Sequence, residues 1–228
     1  METHFQQELS QLKAELLQMA GLAERAIRNA IKALVERDTS LAERTIREDA
    51  QINNLELSID DRCLKLLALH QPMATDLRFI TSAMRINVEL ERIGDLAVNI
   101  SERVISLNQE PQIKPYIDIP RMAEITQGMV RDVLDAFVKG DPQLARSVCQ
   151  RDDEVDALNN QVFRELLTYM MGDSKTIARA VHLIIVSRCL ERIADHATNI
   201  AEGVIFMTQA KVIKHHADAN LGKIEGTD

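Results

Sequence analysis

At 228 residues, with 46% apolar and 27% charged side chains, the chain is long enough to bury a substantial core and lies within the ordinary globular range. A formal charge of -8 leaves no surplus of clustered Lys and Arg to neutralise a phosphate backbone, which argues against nucleic acid as a partner. Aromatics make up only 3% and Trp is absent, while Leu, Ala, Ile, Arg and Glu abound, so composition favours helices over sheets and an all-α fold.

The first residues, Met1 to Glu8, carry neither the basic leader nor the apolar stretch of a secretory signal, and the longest apolar run, near Ala180 to Val186, is too short for a span. The expectation is a soluble, cytoplasmic protein. From Phe5 to Val35, Leu9, Leu12, Leu16, Met19, Ala23, Ile27, Ile31 and Leu34 recur at three and four spacing, which predicts a first amphipathic helix. Ser40-Leu41-Ala42-Glu43 reads as a capping box opening a second helix, with Ile52, Leu55, Ile59, Cys63 and Leu66 on one stripe and an end near Leu69. Pro72 punctuates, and a third helix is predicted from about Ala74 to Leu107.

Pro111, Pro115 and Pro120 mark a linker. A fourth helix is predicted from about Arg121 to Val138, and Asp141 with Pro142 suits the N-cap and first position of a fifth that ends near Met171. Gly172 suits its C-terminal cap, Asp173 or Ser174 the next start, and a sixth helix should run to about Val212. The organisation expected is two tandem, similar three-helix bundles made of six long helices. Residues 1–110 form the first unit, 111–120 the linker, 121–213 the second unit and 214–228 a disordered polar tail. Whether the bundles pack end to end or side by side stays open, and an elongated shape is expected. Cys63, Cys149 and Cys189 are dispersed with no CxxC spacing, so they read as free buried thiols.

The second half echoes the first. Of the 16 positions from Leu90 to Ile105, 11 are identical at an offset of 100, whereas Ser40 to Leu69 against Gln143 to Gly172 gives 5 in 30. Packing alone tolerates volume-conserving exchange, so retention of Glu, Arg, Asp and Asn in both copies points to something that touches those side chains. On a helical wheel Glu91, Asp95, Asn99 and Glu102 share an arc of about 80 degrees, opposite Ile86, Ile93, Ala97, Ile100 and Val104. Glu191, Asp195, Asn199 and Glu202 repeat the arc. A solvated charged face is the ordinary meaning of such a stripe, yet carboxylates four apart repel, and a bound cation would reverse that sign. Oxygen ligands of this kind suit Mg, Mn, Ca or Fe. The neighbouring helices offer further oxygens four apart, Asp49 and Asn53 in the first unit and Asp152 and Asp156 in the second. No Glu-x-x-His pair occurs, which disfavours ferritin-like di-iron chemistry. His182 and His196 read as structural, and His215-His216 as incidental.

Glu89-Leu90-Glu91-Arg92-Ile93-Gly94-Asp95 with Asn99-Ile100, and Leu190-Glu191-Arg192-Ile193-Ala194-Asp195 with Asn199-Ile200, together with Gln71 to Arg78 and Thr168 to Ser174, resemble the PhoU family of phosphate-specific transport regulators over nearly the whole chain. The resemblance implies two three-helix bundles, commonly dimeric, with E/DxxxD motifs that bind metal ions at the surface in some members. Carried over, the metal candidates are Glu91, Asp95, Glu191 and Asp195, with Asp49, Asn53, Asp152 and Asp156 as the partner motif; the wheel adds Asn99, Glu102, Asn199 and Glu202 as candidate further ligands. The ion expected at such a site is divalent or trivalent, Mg, Mn, Zn or Fe, its identity left open by the sequence. Two positions depart from the pattern: Asn53 replaces an acid, which lowers the charge of that site, and Ala194 replaces the motif glycine, which is expected to be harmless because Ala favours helix.

The implied role is non-enzymatic: a negative regulator of the phosphate regulon and modulator of the phosphate uptake transporter. The implied partners are a membrane sensor histidine kinase and the ATPase subunit of the phosphate ABC transporter, reached from the cytoplasm at the inner face of the membrane. Two rival readings are a structural helical adaptor without metal and a metal-dependent hydrolase. The latter lacks a His, Cys or Lys within helical reach of either acidic stripe except His196.

Overall fold

The computed structural model describes residues 4–211. The apolar seam of the first segment makes α1 (His4–Glu36), with Leu12, Leu16, Met19, Ala23, Ile27 and Leu34 fully buried along it. The second segment, expected as one helix, is split at Asp49 into α2 (Thr39–Glu48) and α3 (Ala50–His70). Its cap also differs: Asp38, not Ser40, accepts the Leu41 amide at 2.9 Å, and Ser40 lies inside the first turn. Asp38 sits in the extended conformation an N-cap requires, which the capping-box pattern two residues later obscured. With α2 and α3 taken as one helix interrupted at Asp49, six long helices remain.

Gln71 closes α3 in the left-handed region at φ 45°, and α4 (Ala74–Leu107) follows as expected. The linker is pinned by Arg37, whose guanidinium donates to the carbonyls of Asn108 at 3.0 Å and Glu110 at 2.6 Å, and by Arg179, which donates to the Pro111 carbonyl at 2.7 Å. Helix α5 (Asp118–Lys139) starts earlier than Arg121, because Pro120 falls in its first turn, where no backbone donor is needed. Gly140 ends it at φ 63°, a conformation that favours glycine. Asp141 caps α6 (Pro142–Gly172), accepting from the Gln143 and Leu144 amides, with Pro142 in first place as its chemistry predicts.

Gly172 is the last helical residue of α6; the C-cap is Asp173, whose backbone is extended and whose carboxylate caps the single 3-10 turn Ser174–Thr176. Helix α7 (Ile177–Gln209) ends three residues short of Val212, with Ala210 left-handed. The tail expected from residue 214 lies outside the described residues. Cys63, Cys149 and Cys189 are free and buried, and burial first of all pushes their thiols up to about 12, 11 and 11.

The two units pack side by side. Helices α4 and α7 run antiparallel against each other, as three contacts along them show: Arg78 Nε to the Met207 carbonyl, Ser82 Oγ to the Gly203 carbonyl, and Glu89 to His196. Helix α1 also touches α5, and Phe79 of α4 stacks on Phe137 of α5 with centroids 5.4 Å apart. One continuous apolar core therefore runs through both units. A 34-residue helix is about 50 Å long at 1.5 Å per residue, so α4 carries the length of the molecule.

Candidate functional site

Both copies of the acidic motif sit where the wheel places them along α4 and α7, with Leu90, Ile93, Ala97, Ile100 and Val104 and their counterparts Leu190, Ile193, Ala197, Ile200 and Val204 buried. The faces are not simply turned to solvent, however. Asp95, Asn99 and Glu102 are exposed, but Glu91 is half-buried, and so are Glu191, Asp195 and Glu202. The expected outward ridge is instead roofed on one side by a neighbouring helix. In the first unit the reason is visible at Gly94, where a Cβ would stand 2.9 Å from Ile52 Cδ1 and 3.0 Å from Asp49 Oδ1. Only a residue without a side chain lets the start of α3 approach α4 so closely.

This approach gathers the first cluster. Burial, followed by the charge of Asp95, raises the Asp49 carboxyl above its ordinary value against the opposing hydrogen bond from Asn53, which donates to Oδ2 at 3.1 Å. Glu91 is raised by burial and then by Asp95, Glu56 and Asp49, with Arg92 opposing. In the second unit burial, Asp195 and Asp156 raise Glu191 against Arg188 and Arg192. Carboxyls raised in this way cost stability at neutral pH, and the cost fades as the pH falls through their raised values. Asp49 Oδ1 is sealed from solvent and accepts no hydrogen bond among the described residues, an arrangement that is costly unless something positive meets it. Asp152, its counterpart, is buried at 1% exposure, and Asp156 is half-buried. The donor set thus fits a hard cation. Among the described residues, though, no three carboxylates of these faces bring oxygens within 4.8 Å of one another.

The units are not copies at this point. Helix α6 runs unbroken through Asp152 and Asp156, whereas the first unit breaks at Asp49. Nor is the Gly94/Ala194 difference an isolated exchange. The residue facing Gly94 is Ile52, and its counterpart is Val155, which lacks the Cδ1 that would collide. A methyl on one helix has been traded for a methyl on the other. Introducing Gly94→Ala should therefore destabilise the wild-type chain, because overpacking of about 1–3 kcal/mol outweighs a helix-propensity gain of about 1 kcal/mol. In an Ile52→Val background the same change should cost less, the contact with Asp49 Oδ1 at 3.0 Å being the closest that remains. Urea denaturation of the four-member cycle measures the coupling, and equal effects in both backgrounds would refute the compensation.

Three of the four additional oxygen ligands have neighbours elsewhere, and the fourth, Asn99, is exposed. Glu102 pairs with Arg103 at 3.2 Å, Glu202 lies close enough to Cys149 to raise its thiol, and Asn199 donates to Glu89 Oε2 at 3.2 Å. Glu89 also meets His196 Nδ1 at 2.5 Å, and this contact across the α4–α7 seam escapes a reading based on repetition. Its counterparts are Cys189 and Leu96, so the polar pair occurs once. Arg92 and Arg192 remain exposed.

The sequence model of the PhoU domain family matches residues 16–104 and 119–204. A curated relative from Caulobacter vibrioides, "Phosphate-specific transport system accessory protein PhoU homolog", is 45% identical over 88% of this chain and 87% of its own length. One of the same name from Aquifex aeolicus is 44% identical over 91% of this chain and 94% of its own. Among solved structures, PhoU from Pseudomonas aeruginosa superposes with a TM-score of 0.88 at 41% identity, covering 91% of this chain and all of that one. The phosphate transport system regulatory protein PhoU from Streptococcus pneumoniae gives 0.85 at 28% identity, covering 92% of this chain and all of its own. With two matched domains, relatives above 40% identity along most of their length and the same all-helical architecture in solved structures, the chain belongs to the PhoU family.

Proposed function

We propose that this chain is a non-enzymatic accessory protein of a phosphate-specific transport system, acting as a cytoplasmic adaptor that holds the phosphate regulon off and restrains phosphate uptake when phosphate is plentiful. The observation that carries this reading is agreement with the accessory proteins named above over nearly their full length. Among the described residues no helix is long and apolar enough to cross a membrane, so contact with a transporter falls to its surface. The partners on this reading are a sensor histidine kinase and the transporter's ATPase subunit, and the chain acts as a homodimer.

The acidic clusters are the surface that engages them, through bound divalent or trivalent cations. Glu91, Asp95 and Asp49, with Asn53, hold one ion, and Glu191, Asp195, Asp152 and Asp156 the other. When bound, the cation supplies fixed positive charge and open coordination positions for a partner's oxygens. The sealed Asp49 Oδ1 supports this, and the spread of the carboxylates implies that water completes the shell.

In a strain lacking the chromosomal copy, a chain carrying Glu91→Lys, Asp95→Lys, Glu191→Lys and Asp195→Lys, folded by circular dichroism, should fail to repress phosphatase expression in phosphate-rich medium, whereas the wild-type chain restores repression. Full repression by the variant would refute docking through these faces. Elemental analysis of protein purified without chelator separates a metal-loaded adaptor from one that works without metal.

A further inference from the structure

We propose that His4, Glu8 and His70 form a binding site for a borderline divalent transition cation of the Zn2+ class, separate from the acidic faces. The candidate ligand atoms of these three residues lie within 4.8 Å of one another. Glu8 Oε2 stands 3.5 Å from His4 Nδ1 and 2.8 Å from His70 Nε2. Ligand atoms bound to one Zn2+ at about 2.0–2.2 Å are themselves about 3–4 Å apart, so small side-chain rotations would complete the set. His4 and Glu8 lie one turn apart on the same face of α1, and His70 is the last residue of α3. The His70 ring is braced by Phe5, with centroids 4.9 Å apart.

Two imidazoles and one carboxylate make a nitrogen-bearing set that suits Zn2+, Co2+, Ni2+ or Cu2+, in contrast with the oxygen-only faces along α4 and α7. His4 is exposed and the other two are half-buried, which leaves the remaining coordination positions to water. Arg62 is close enough for its charge to be stabilised by Glu8, but its guanidinium is committed to Glu15. A cation here would fasten the first turn of α1 to the end of α3, beside the Gln71-Pro72 turn.

The test is calorimetric titration of Zn2+ into the full untagged chain with excess Mg2+ present, the hard cation occupying the oxygen-only faces. The wild-type chain should take up one Zn2+ that His4→Ala and His70→Ala each weaken at least tenfold, on the scale of losing a metal-site contact. Glu91→Gln with Asp95→Asn, and His215→Ala with His216→Ala, should leave that uptake unchanged. Co2+ should give visible absorption bands that disappear in His4→Ala, and since the His4 side chain is 79% exposed, the result stands even if His70→Ala unfolds. No Zn2+ uptake by the wild-type chain, undiminished uptake by His4→Ala, or loss of uptake in the acidic-face or tail variants would overturn the proposal.

Discussion

Arg62→Ala is expected to lower stability by about 2–3 kcal/mol, a fall in Tm of about 4–12 °C for a chain of this size. The Arg62 guanidinium donates to both carboxylate oxygens of Glu15, at 2.8 and 2.6 Å, and joins α3 to α1 with side-chain exposures of 28% and 11%. Burial by itself would raise the Glu15 carboxyl; the hydrogen bonds from Arg62 and Gln11 and the charge of Arg62 outweigh it, leaving Glu15 below its ordinary 4.5. A carboxyl depressed in the folded state contributes stability above its unfolded value and loses it as the pH falls through the folded one. Without Arg62 only burial and Gln11 remain, so the sign reverses and acid relieves the variant. The gap between wild type and Arg62→Ala should thus be widest near neutrality and should narrow below about pH 4.5. Replacing both partners by methionine should cost much less than Arg62→Ala alone, because no unpaired buried charge is left. Thermal melts across pH measure all three chains, and a pH-independent gap would show that lost packing, not the ion pair, carries the effect.

Glu89→Gln should cost about 1.5–3 kcal/mol, the range for a hydrogen bond to a charged group, and should loosen the α4–α7 seam first. Glu89 is half-buried between His196 and Asn199. Burial raises its carboxyl, but the hydrogen bonds from His196 and Asn199, with the charges of His196 and Arg92, bring it below the ordinary value. The same linkage sign applies: this stabilisation is present above the usual carboxylate range and disappears as Glu89 protonates. Hydrogen exchange of Glu89→Gln at neutral pH should speed up along the middle of α4 and α7 more than in α2 or α6, and the difference from wild type should vanish in acid. Uniform acceleration throughout would mean the pair contributes only to global stability.

The helical architecture was legible because its signals are local. Seam residues at three and four spacing became buried faces in α1, α4 and α7, and the Asp141-Pro142 start and Pro72 break fell where side-chain and backbone chemistry demand. Several helix ends were less legible: Asp38, not Ser40, holds one cap, and Pro120, expected in the linker, belongs to the first turn of α5. The acidic faces were readable as lines on a wheel but not as clusters. In the first unit the half-buried state of Glu91 depends on α3 lying over Gly94, and a glycine inside a helix announces a close approach without naming what approaches. His4, Glu8 and His70 stayed invisible as a group, since only the first two are local to each other. The trade of Ile52 with Gly94 for Val155 with Ala194 was similarly hidden, because each member lies on a different helix.

The Glu89–His196 contact, one of several on the α4–α7 seam without a counterpart in the other half, has a consequence for how this molecule can change. Were the halves separate identical chains, every alteration at one acidic cluster would be forced on its twin, and a polar pair on one side of the axis would reappear on the other. Joined through residues 108–117, they are released from that constraint. Asn53 opposite Asp156, and a helix interrupted at Asp49 opposite an unbroken one, are differences that only a fused duplicate can hold, so each half is free to drift without the other.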